Sequence, residues 1–347
     1  MIEPSAILRS RAERESTSVM EDDGRMSVIT HDERDRRSFV LFWMCRLIVK
    51  TLLRTVPVTE GLLRRLADLD TWAGRGRRPI GGVDVASAEI AGVPVERITP
   101  HALDDPRVGV VYLHGGAFIA CGLNTHRPVA AAVARNLRAP VVNVDYRQCP
   151  EAGVGTSVHD AYSVYRELRA SGDFDSIVVA GDSAGGYLAA KIVDQCARDG
   201  VPGPDAYVGF SPLLNLDPGA QRSSRHDAML PIGRLEKLRP FYERGPHQIT
   251  GPLDTTGDAV AAAFPPAVIV VAEREALVVD ALDLHDALDR AGIVNEIHVH
   301  SGQIHAFPAA VPGSTQGRGA IAVAADFVRR TLASAAGDDS GGRADTA

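Results

Sequence analysis

The segment Ile177-Val-Val-Ala-Gly-Asp-Ser-Ala-Gly-Gly186 decides the fold of this chain. Its first four residues predict a buried strand, and a helix is predicted to begin near Tyr187. The pattern G-x-S-x-G at such a junction holds a serine hydroxyl clear of the backbone, and the helix N-terminus favours developing negative charge. The segment therefore predicts Ser183 as a nucleophile on a strand-to-helix turn, and a glycine-rich turn with a solvated serine is the alternative.

The same strand-to-helix rhythm continues on both sides of this segment. Strands are predicted at Val108–Leu113, Pro140–Val144, Ser176–Ala180, Ala206–Phe210, Ala267–Ala272 and Val294–His300, and helical periodicity at Arg127–Leu137, Ser157–Ala170, Ala184–Arg198, Leu277–Ala291 and Gly319–Leu332. This alternation predicts an α/β fold with a mostly parallel sheet covered by helices on both faces. Because chemistry in such sheets lies beyond the carboxyl ends of the strands, the residues that follow each strand are the candidates.

A second glycine-rich turn, His114-Gly-Gly-Ala-Phe118, follows the strand Val108–Leu113. Acyl transfer needs N–H donors for the oxyanion of a tetrahedral intermediate. This turn would supply two backbone N–H groups beside the strand-to-helix turn of Ser183. We expect the backbone N–H groups of Gly116, Ala117 and Ala184 to form this oxyanion hole. A tight turn without any such role is the alternative for the segment taken alone.

A general base is expected after the serine's helix, because a triad of this kind has the chain order serine, acid, histidine. Four histidines come late enough: His285, His298, His300 and His305. His285 falls within a helix, and His298 and His300 alternate within a strand. His305 follows the last strand, in Gly302-Gln-Ile-His-Ala-Phe307, and is the predicted base.

The acid is expected in the loop after Ala267–Ala272, where Glu273, Glu275 and Asp280 compete. Position relative to the strand end favours Glu275. Asp280 is predicted to lie already in the next helix, where a carboxylate in the first turn commonly has a capping role. The sequence alone leaves Asp280 open as the alternative acid.

Composition excludes several classes of protein. The 347 residues are 45% hydrophobic and 23% charged with a net charge of −7, which argues against a disordered or collagen-like chain. The basic residues are scattered along the sequence, so no nucleic-acid partner is expected. The four cysteines form no CxxC pair, and no signal peptide is recognised, so we expect a cytoplasmic protein without a zinc site or disulfides.

Disordered polar tails are expected at 1–36 and 334–347, around a helical segment at 37–79 and a single catalytic domain at 80–333. Within the helical segment, Phe39–Val56 is apolar except for cations at a spacing of four, Arg46, Lys50 and Arg54, and reads as an amphipathic helix. One interpretation packs its apolar face on the rest of the protein. The other lays a basic amphipathic helix on a membrane surface.

These motifs together resemble the hormone-sensitive-lipase-like family of α/β-hydrolases over roughly residues 80–332. The resemblance rests on HGGAF at 114–118, Asp145-Tyr-Arg147 with Pro150-Glu151, GDSAGG at 181–186, Phe264-Pro-Pro266 and the histidine loop 302–307. Ala117 replaces the third glycine of the family's HGGG turn. The family's G-E-x-D-P-L motif corresponds to Ala272-Glu-Arg-Glu-Ala-Leu277, which puts Glu275 at the acid position and lacks the proline.

The resemblance implies a serine ester hydrolase with the triad Ser183, Glu275 and His305, acting on short to medium acyl esters without a metal or organic cofactor. It also implies that residues 37–79 form a helical cap, with Arg222–Ala263 adding helices near the acyl pocket, and that a homodimer can form through an edge strand. Two other functions remain open: an amidase or deacetylase with the same triad, and a non-catalytic protein that binds small molecules on this scaffold.

Overall fold

The computed structural model describes residues 27–32, 35–75 and 79–341. The strands of this part are β1 Ser27–His31, β2 Val83–Ile90, β3 Val93–Pro100, β4 Val108–Leu113, β5 Val141–Val144, β6 Ser176–Asp182, β7 Ala206–Phe210, β8 Ala267–Ala272 and β9 Asn295–His300. They form one sheet in the order β1-β9-β8-β7-β6-β4-β5-β3-β2. All neighbouring strands are parallel except the antiparallel pairs β2–β3 and β3–β5.

Helices connect the strands and cover both faces of the sheet. They are α1 Arg36–Met44, α2 Lys50–Thr55, α3 Glu60–Gly74, α4 Leu123–Leu137, α5 Val154–Ser171, α6 Ala184–Asp199, α7 Leu235–Tyr242, α8 Asp258–Ala261, α9 Val278–Ala291, α10 Phe307–Ala310 and α11 Thr315–Gly341. A π-helical turn, Cys45–Val49, joins α1 to α2, and a 3₁₀ turn, Ile232–Arg234, precedes α7.

The core has two layers, one on each face of the sheet. Helices α5, α6 and α9 contribute to one cluster of buried apolar side chains, and α4 and α11 contribute to the other. Strand β8 is buried along its whole length, with Val271 in the first cluster and Val270 in the second. Burial on both sides explains the uninterrupted apolar sequence of the central strands.

The α/β fold and the mostly parallel sheet are confirmed, and each of the six predicted strands lies at its predicted place within two residues. The hairpin β2–β3 was not predicted. In its first strand, β2, apolar and polar residues alternate only weakly and most side chains are exposed. Its sequence therefore lacks the continuous apolar run that identifies the central strands. The hairpin turns at Ala91 and Gly92, both with positive φ, and adds an antiparallel edge to the sheet.

The tails predicted at 1–36 and 334–347 are wrong where the structure describes them. Ser27–His31 pairs in parallel with β9, because the edge of β9 offers unpaired backbone groups and three successive β-branched residues suit a strand. The C-terminal helix continues to Gly341, and Ala333 and Ala335, with the highest helix propensity, favour its passage beyond residue 333. Residues 1–26, 33–34 and 342–347 of the predicted tails lie outside the described residues.

The predicted amphipathic helix is present as α1, the π turn and α2. The first interpretation packs its apolar face on the rest of the protein, but only some of its apolar residues do so. Leu41, Phe42, Cys45 and Val49 do pack against the second core cluster. A second set of apolar side chains points away from the protein and is 43–65% exposed: Phe39, Val40, Trp43, Leu47, Ile48 and Leu52. We call these six residues the apolar row.

Two of the three cations of this helix, Arg46 and Lys50, face the protein, and Arg54 is exposed. Arg46 donates to the carbonyl oxygens of Arg225, His226 and Asp227 at 3.0–3.2 Å. The ammonium group of Lys50 is buried and donates to the Asp227 carbonyl at 2.6 Å. These bonds satisfy the positive groups against the segment 224–227 and leave the apolar row outside.

Candidate active site

Ser183 lies between the last residue of β6 and the first of α6, with φ of 50° and ψ of −119°. This left-handed backbone is held by a hydrogen bond of 3.0 Å from the Ser183 N–H to the Phe210 carbonyl. The elbow packs directly under β4, since a Cβ built on Gly185 would lie 1.9 Å from the Leu113 carbonyl oxygen. The strained turn therefore requires glycine and raises the serine above the sheet.

His305 and Glu275 approach this serine from the loops after β9 and β8. The Nε2 atom of His305 lies 2.9 Å from Ser183 Oγ, and its Nδ1 atom lies 3.2 Å from Glu275 Oε2. Both side chains are almost completely buried. The structure thus brings together the predicted serine, base and acid in one chain of hydrogen bonds.

The buried pair is electrostatically coupled. Burial lowers the pKa of His305, but hydrogen bonding to Glu275 and the negative charges of Glu275, Asp227 and Asp182 outweigh it, so this pKa is raised. Burial raises the pKa of Glu275 against the opposing effects of His305 and the Ser211 hydroxyl. An imidazolium that forms here is stabilised by the carboxylate behind it.

The predicted oxyanion donors belong to the turn 114–118 and to Ala184, the first residue of α6. The backbone at Gly116, Ala117 and Phe118 has φ of 115°, 54° and 60°, so three successive residues of this turn have positive φ. Within the described residues, no hydrogen bond uses the N–H of Gly116, Ala117 or Ala184. Ala117 adopts its left-handed conformation despite replacing the family's third glycine.

Asp182, the residue before the serine, links the two glycine-rich turns. Its buried carboxylate accepts hydrogen bonds from Tyr112 Oη at 2.9 Å, from the Gly115 N–H at 3.1 Å and from His126 Nε2 at 3.3 Å. Burial raises its pKa, but His126 and Tyr112 outweigh this and lower it. Asp182 therefore fixes the position of the turn 114–118 relative to the elbow. It stands in the quoted motif, although sequence reasoning gave it no role.

Asp280, the alternative acid, belongs to a different network. It is buried in the first turn of α9, where its carboxylate pairs with Arg222 at 2.6 Å. The same carboxylate accepts hydrogen bonds from the N–H groups of Leu214 and Asn215. Asp280 is therefore hydrogen-bonded to the segment that follows β7. The carboxylate that contacts His305 belongs to Glu275.

Two further polar residues hold the loops of the site. Ser211, with φ of 48°, accepts a hydrogen bond of 2.9 Å from the N–H of Ala306, next to His305. Asp227 accepts a hydrogen bond of 2.7 Å from the N–H of Ala276, next to Glu275. Neither residue belongs to a motif in the sequence, because both act on loops that are distant along the chain.

An apolar cavity of about 220 Å³ opens beside the turn 114–118. Ala117 and Ile119 form its wall toward the turn, and side chains from α2, α3 and the segment 230–238 form the rest. Arg234 is the charged residue in the lining. Leu230, Ile232 and Leu238 of this lining come from Arg222–Ala263, the segment predicted to lie near an acyl pocket.

Comparisons with known proteins agree with the fold and with the motifs. A family profile described as alpha/beta hydrolase fold matches residues 110–309. The chain is 33% identical over 261 residues to the carboxylesterase/phospholipase LipF of Mycobacterium tuberculosis, covering 72% of this chain and 68% of that protein. It is 30% identical over 190 residues to mouse hormone-sensitive lipase, covering 52% of this chain and 24% of the lipase.

Among solved structures, a crystal structure of an esterase from the bacterial hormone-sensitive lipase family superimposes with a TM-score of 0.73. The match has 27% sequence identity and covers 86% of this chain and all of the esterase. The family profile spans more than half of the chain, and the carboxylesterase LipF is 33% identical over more than two thirds of both chains. The chain therefore belongs to the α/β-hydrolases and, within them, to the hormone-sensitive-lipase-like family.

Proposed function

We propose that this protein is a carboxylic ester hydrolase that works through an acyl-enzyme on Ser183. The observation that carries the proposal is the hydrogen-bonded chain Ser183–His305–Glu275. Its relatives are named as carboxylesterases and lipases, which supports ester substrates. With these residues as nucleophile, base and acid, and with the proposed oxyanion donors, the mechanism has every group that acyl transfer requires.

With a proton on Nδ1 held toward Glu275, His305 Nε2 takes the proton of Ser183 as Oγ attacks the acyl carbonyl. The carbonyl oxygen becomes an oxyanion and accepts hydrogen bonds from the N–H groups of Gly116, Ala117 and Ala184. His305 then protonates the leaving alkoxide, and the acyl group stays on Ser183. Water, deprotonated by His305, hydrolyses this ester and releases the acid.

The apolar cavity supports an acyl-binding role and a preference for short to medium chains. It lies against Ala117, which carries a proposed oxyanion donor, so an acyl chain bound there keeps its carbonyl near the nucleophile. Each methylene buried in it contributes about 0.8 kcal/mol. Because the cavity has a volume of only about 220 Å³, it holds a limited number of carbons, and further methylenes gain no burial there. Residues 37–79 would then act as a cap that closes the cavity.

The proposal is tested by hydrolysis of p-nitrophenyl acetate, butyrate, octanoate and palmitate. Ser183→Ala should lose most of the activity, whereas Ser163→Ala, a serine on α5 outside the site, should keep it. Butyrate and octanoate should be preferred to palmitate. Faster turnover of butyryl p-nitroanilide than of the ester would favour an amidase. A folded wild-type protein that cleaves neither would favour a binding protein.

A contact between the apolar row and a membrane surface is part of the proposal. The row leaves six large apolar side chains in water along one helix face, which is unusual for a soluble surface. Among the helices in the described part of the chain, none combines the length and apolar character needed to cross a membrane. The contact proposed here therefore lies in the interface plane of a bilayer.

A further inference from the structure

A strongly basic groove lies next to the apolar row. It has a volume of about 660 Å³ and is lined by six cationic side chains: Arg46, Lys50, Arg54, Arg225, Arg234 and Lys237. None of the described residues that line it is acidic. The whole chain carries a net charge of −7, so this concentration of positive charge is local and runs against the overall charge.

The cations of the groove are not neutralised by carboxylates at close range. Arg46 and Lys50 donate to backbone carbonyl oxygens, which carry no net charge. Arg54, Arg225 and Lys237 form no ion pair with another described residue. Burial lowers the pKa of Lys50, Asp227 raises it, and the adjacent cations Arg46 and Arg54 lower it further. An anion bound in the groove would offset this mutual repulsion.

Arg234 connects the groove with the apolar cavity. Its guanidinium donates through Nη2 to the Val56 carbonyl, and its buried Nε has no hydrogen-bond partner among the described residues. Arg234 and Pro231 line both spaces. The guanidinium therefore adds a positive charge at the boundary between the two spaces.

The groove is also continuous with the apolar row, because Leu47 belongs to both. The row is the part of the helix that faces away from the protein, and the cations lie beside it. This combination matches the interface of an anionic bilayer, where phosphate groups lie next to acyl chains. A nucleic acid would use the cations but would leave the apolar row in water.

We propose that the basic groove binds the phosphate headgroups of anionic phospholipids and, together with the apolar row, docks the protein on an anionic membrane surface. This inference deepens the membrane contact of the proposed function by naming its lipid class. It places the apolar cavity close to the bilayer, since Arg234 and Pro231 separate the cavity from the headgroup site by one wall.

Flotation with lipid vesicles tests this inference apart from catalysis, with every variant made in the Ser183→Ala background. The vesicles contain phosphatidylcholine alone or equal parts of phosphatidylcholine and phosphatidylglycerol. The parent should float with the anionic vesicles, and added NaCl should weaken its binding. Each cation near an anionic surface contributes about fivefold to partitioning, so Arg54→Glu/Lys237→Glu should reduce it at least tenfold.

A matched control makes the same change of charge outside the groove. Arg97→Glu/Arg166→Glu, on β3 and α5, should float like the parent. Leu47→Ser/Ile48→Ser should reduce binding to anionic vesicles while leaving the cations in place. Circular dichroism and thermal unfolding check that each variant folds, and the neutral pair Arg54→Gln/Lys237→Gln repeats the test where charge reversal prevents folding.

Several results would overturn the inference. Equal flotation with both vesicle types would leave a membrane contact but remove the headgroup site. Protection against thermal unfolding by inorganic phosphate, without flotation on anionic vesicles, would assign the groove to a free anion. Tighter binding of a single-stranded oligonucleotide, or a dimer in sedimentation that Leu47→Ser/Ile48→Ser disrupts, would assign the surface to another partner. Each outcome is independent of the esterase assay.

Discussion

The carboxylate of Asp227 accepts a hydrogen bond of 2.7 Å from the N–H of Ala276, the residue directly after Glu275. The other carboxylate oxygen accepts the N–H groups of Met229 and Leu230, and the Asp227 carbonyl receives Lys50. One buried residue thus connects the N-terminal helix, the segment 224–230 and the loop that carries the proposed acid. The position of Glu275 depends on this connection as well as on β8.

Asp227→Asn should move the acid limb of the pH profile to lower pH. The Asp227 charge raises the pKa of His305. Because catalysis needs a neutral imidazole, kcat/KM falls as pH decreases through this pKa, which lies above its ordinary value of 6.5. Removing the charge lowers the pKa and extends activity toward acid. The measurement is kcat/KM for p-nitrophenyl butyrate against pH.

Glu275→Gln provides the comparison for this profile. It removes a larger contribution to the raised pKa of His305, so its acid limb should move further in the same direction, with a much lower maximum. An Asp227→Asn profile with an unmoved acid limb would contradict the electrostatic role. Urea unfolding of Asp227→Asn should show a loss of about 1–3 kcal/mol. The amide has one acceptor oxygen where the carboxylate has two, so either the Ala276 N–H or the N–H groups of Met229 and Leu230 lose their acceptor.

Asp280→Ala and Glu275→Ala should separate stability from catalysis. The Asp280–Arg222 pair is buried on both sides, and removing one partner leaves the other charge uncompensated at a cost of about 3–5 kcal/mol. Glu275→Ala should instead lower kcat by orders of magnitude, since His305 loses the group that orients it. Urea unfolding and ester hydrolysis on both variants make the comparison.

The double variant Asp280→Ala/Arg222→Met serves as the control, because it removes both charges of the pair. It should recover part of the stability that Asp280→Ala loses while keeping activity. If the folded fraction of Asp280→Ala were as inactive as Glu275→Ala, the assignment of the acid to Glu275 would be wrong.

The central strands and the position of Ser183 could be predicted because each signal is local. A buried strand needs only its own apolar run, and the elbow needs only the glycines around Ser183. The choice between Glu275 and Asp280 depends on which loop turns toward His305, and position along the chain gave only a preference. The Arg222 that engages Asp280 is distant in sequence and has no motif of its own.

The orientation of the N-terminal helix was beyond the sequence for a similar reason. Periodicity identified an amphipathic helix, and apolar burial is the usual outcome for such a pattern. Instead, Arg46 and Lys50 donate hydrogen bonds to the carbonyl groups of residues 225–227, so their side of the helix faces the protein. Another side of the helix, which includes Cys45, packs on the core. The pattern of side chains in a sequence does not show which backbone carbonyl groups accept hydrogen bonds. The orientation of this helix could therefore be seen only in the structure.

Gly116→Ala should abolish most of the activity without unfolding the protein. Gly116 has φ of 115°, and a Cβ there would lie 2.0 Å from the Ala120 carbonyl oxygen, so the turn with the proposed oxyanion donors must shift. Loss of one such donor typically lowers kcat by about 10²–10³. Steady-state kinetics with p-nitrophenyl butyrate measures the loss.

Gly92→Ala is the matched control for this change, since Gly92 also has positive φ but no atom lies within 4 Å of its added Cβ. It should lose about 1 kcal/mol of stability from the unfavourable backbone and keep its activity. Comparable kcat for Gly116→Ala and wild type, in a protein that is folded by circular dichroism, would remove the turn from the mechanism.

Ile119→Trp should shorten the preferred acyl chain. Ile119 lines the apolar cavity next to Ala117, and a larger side chain there occupies space proposed for the distal carbons of the acyl group. Each excluded methylene forfeits about 0.8 kcal/mol, or about fourfold in kcat/KM, so the ratio of octanoate to acetate should fall at least tenfold. Ile119→Ala should change this ratio in the opposite direction. A ratio that stays constant in both variants would place the acyl chain elsewhere, and the cavity would then have no part in substrate selection.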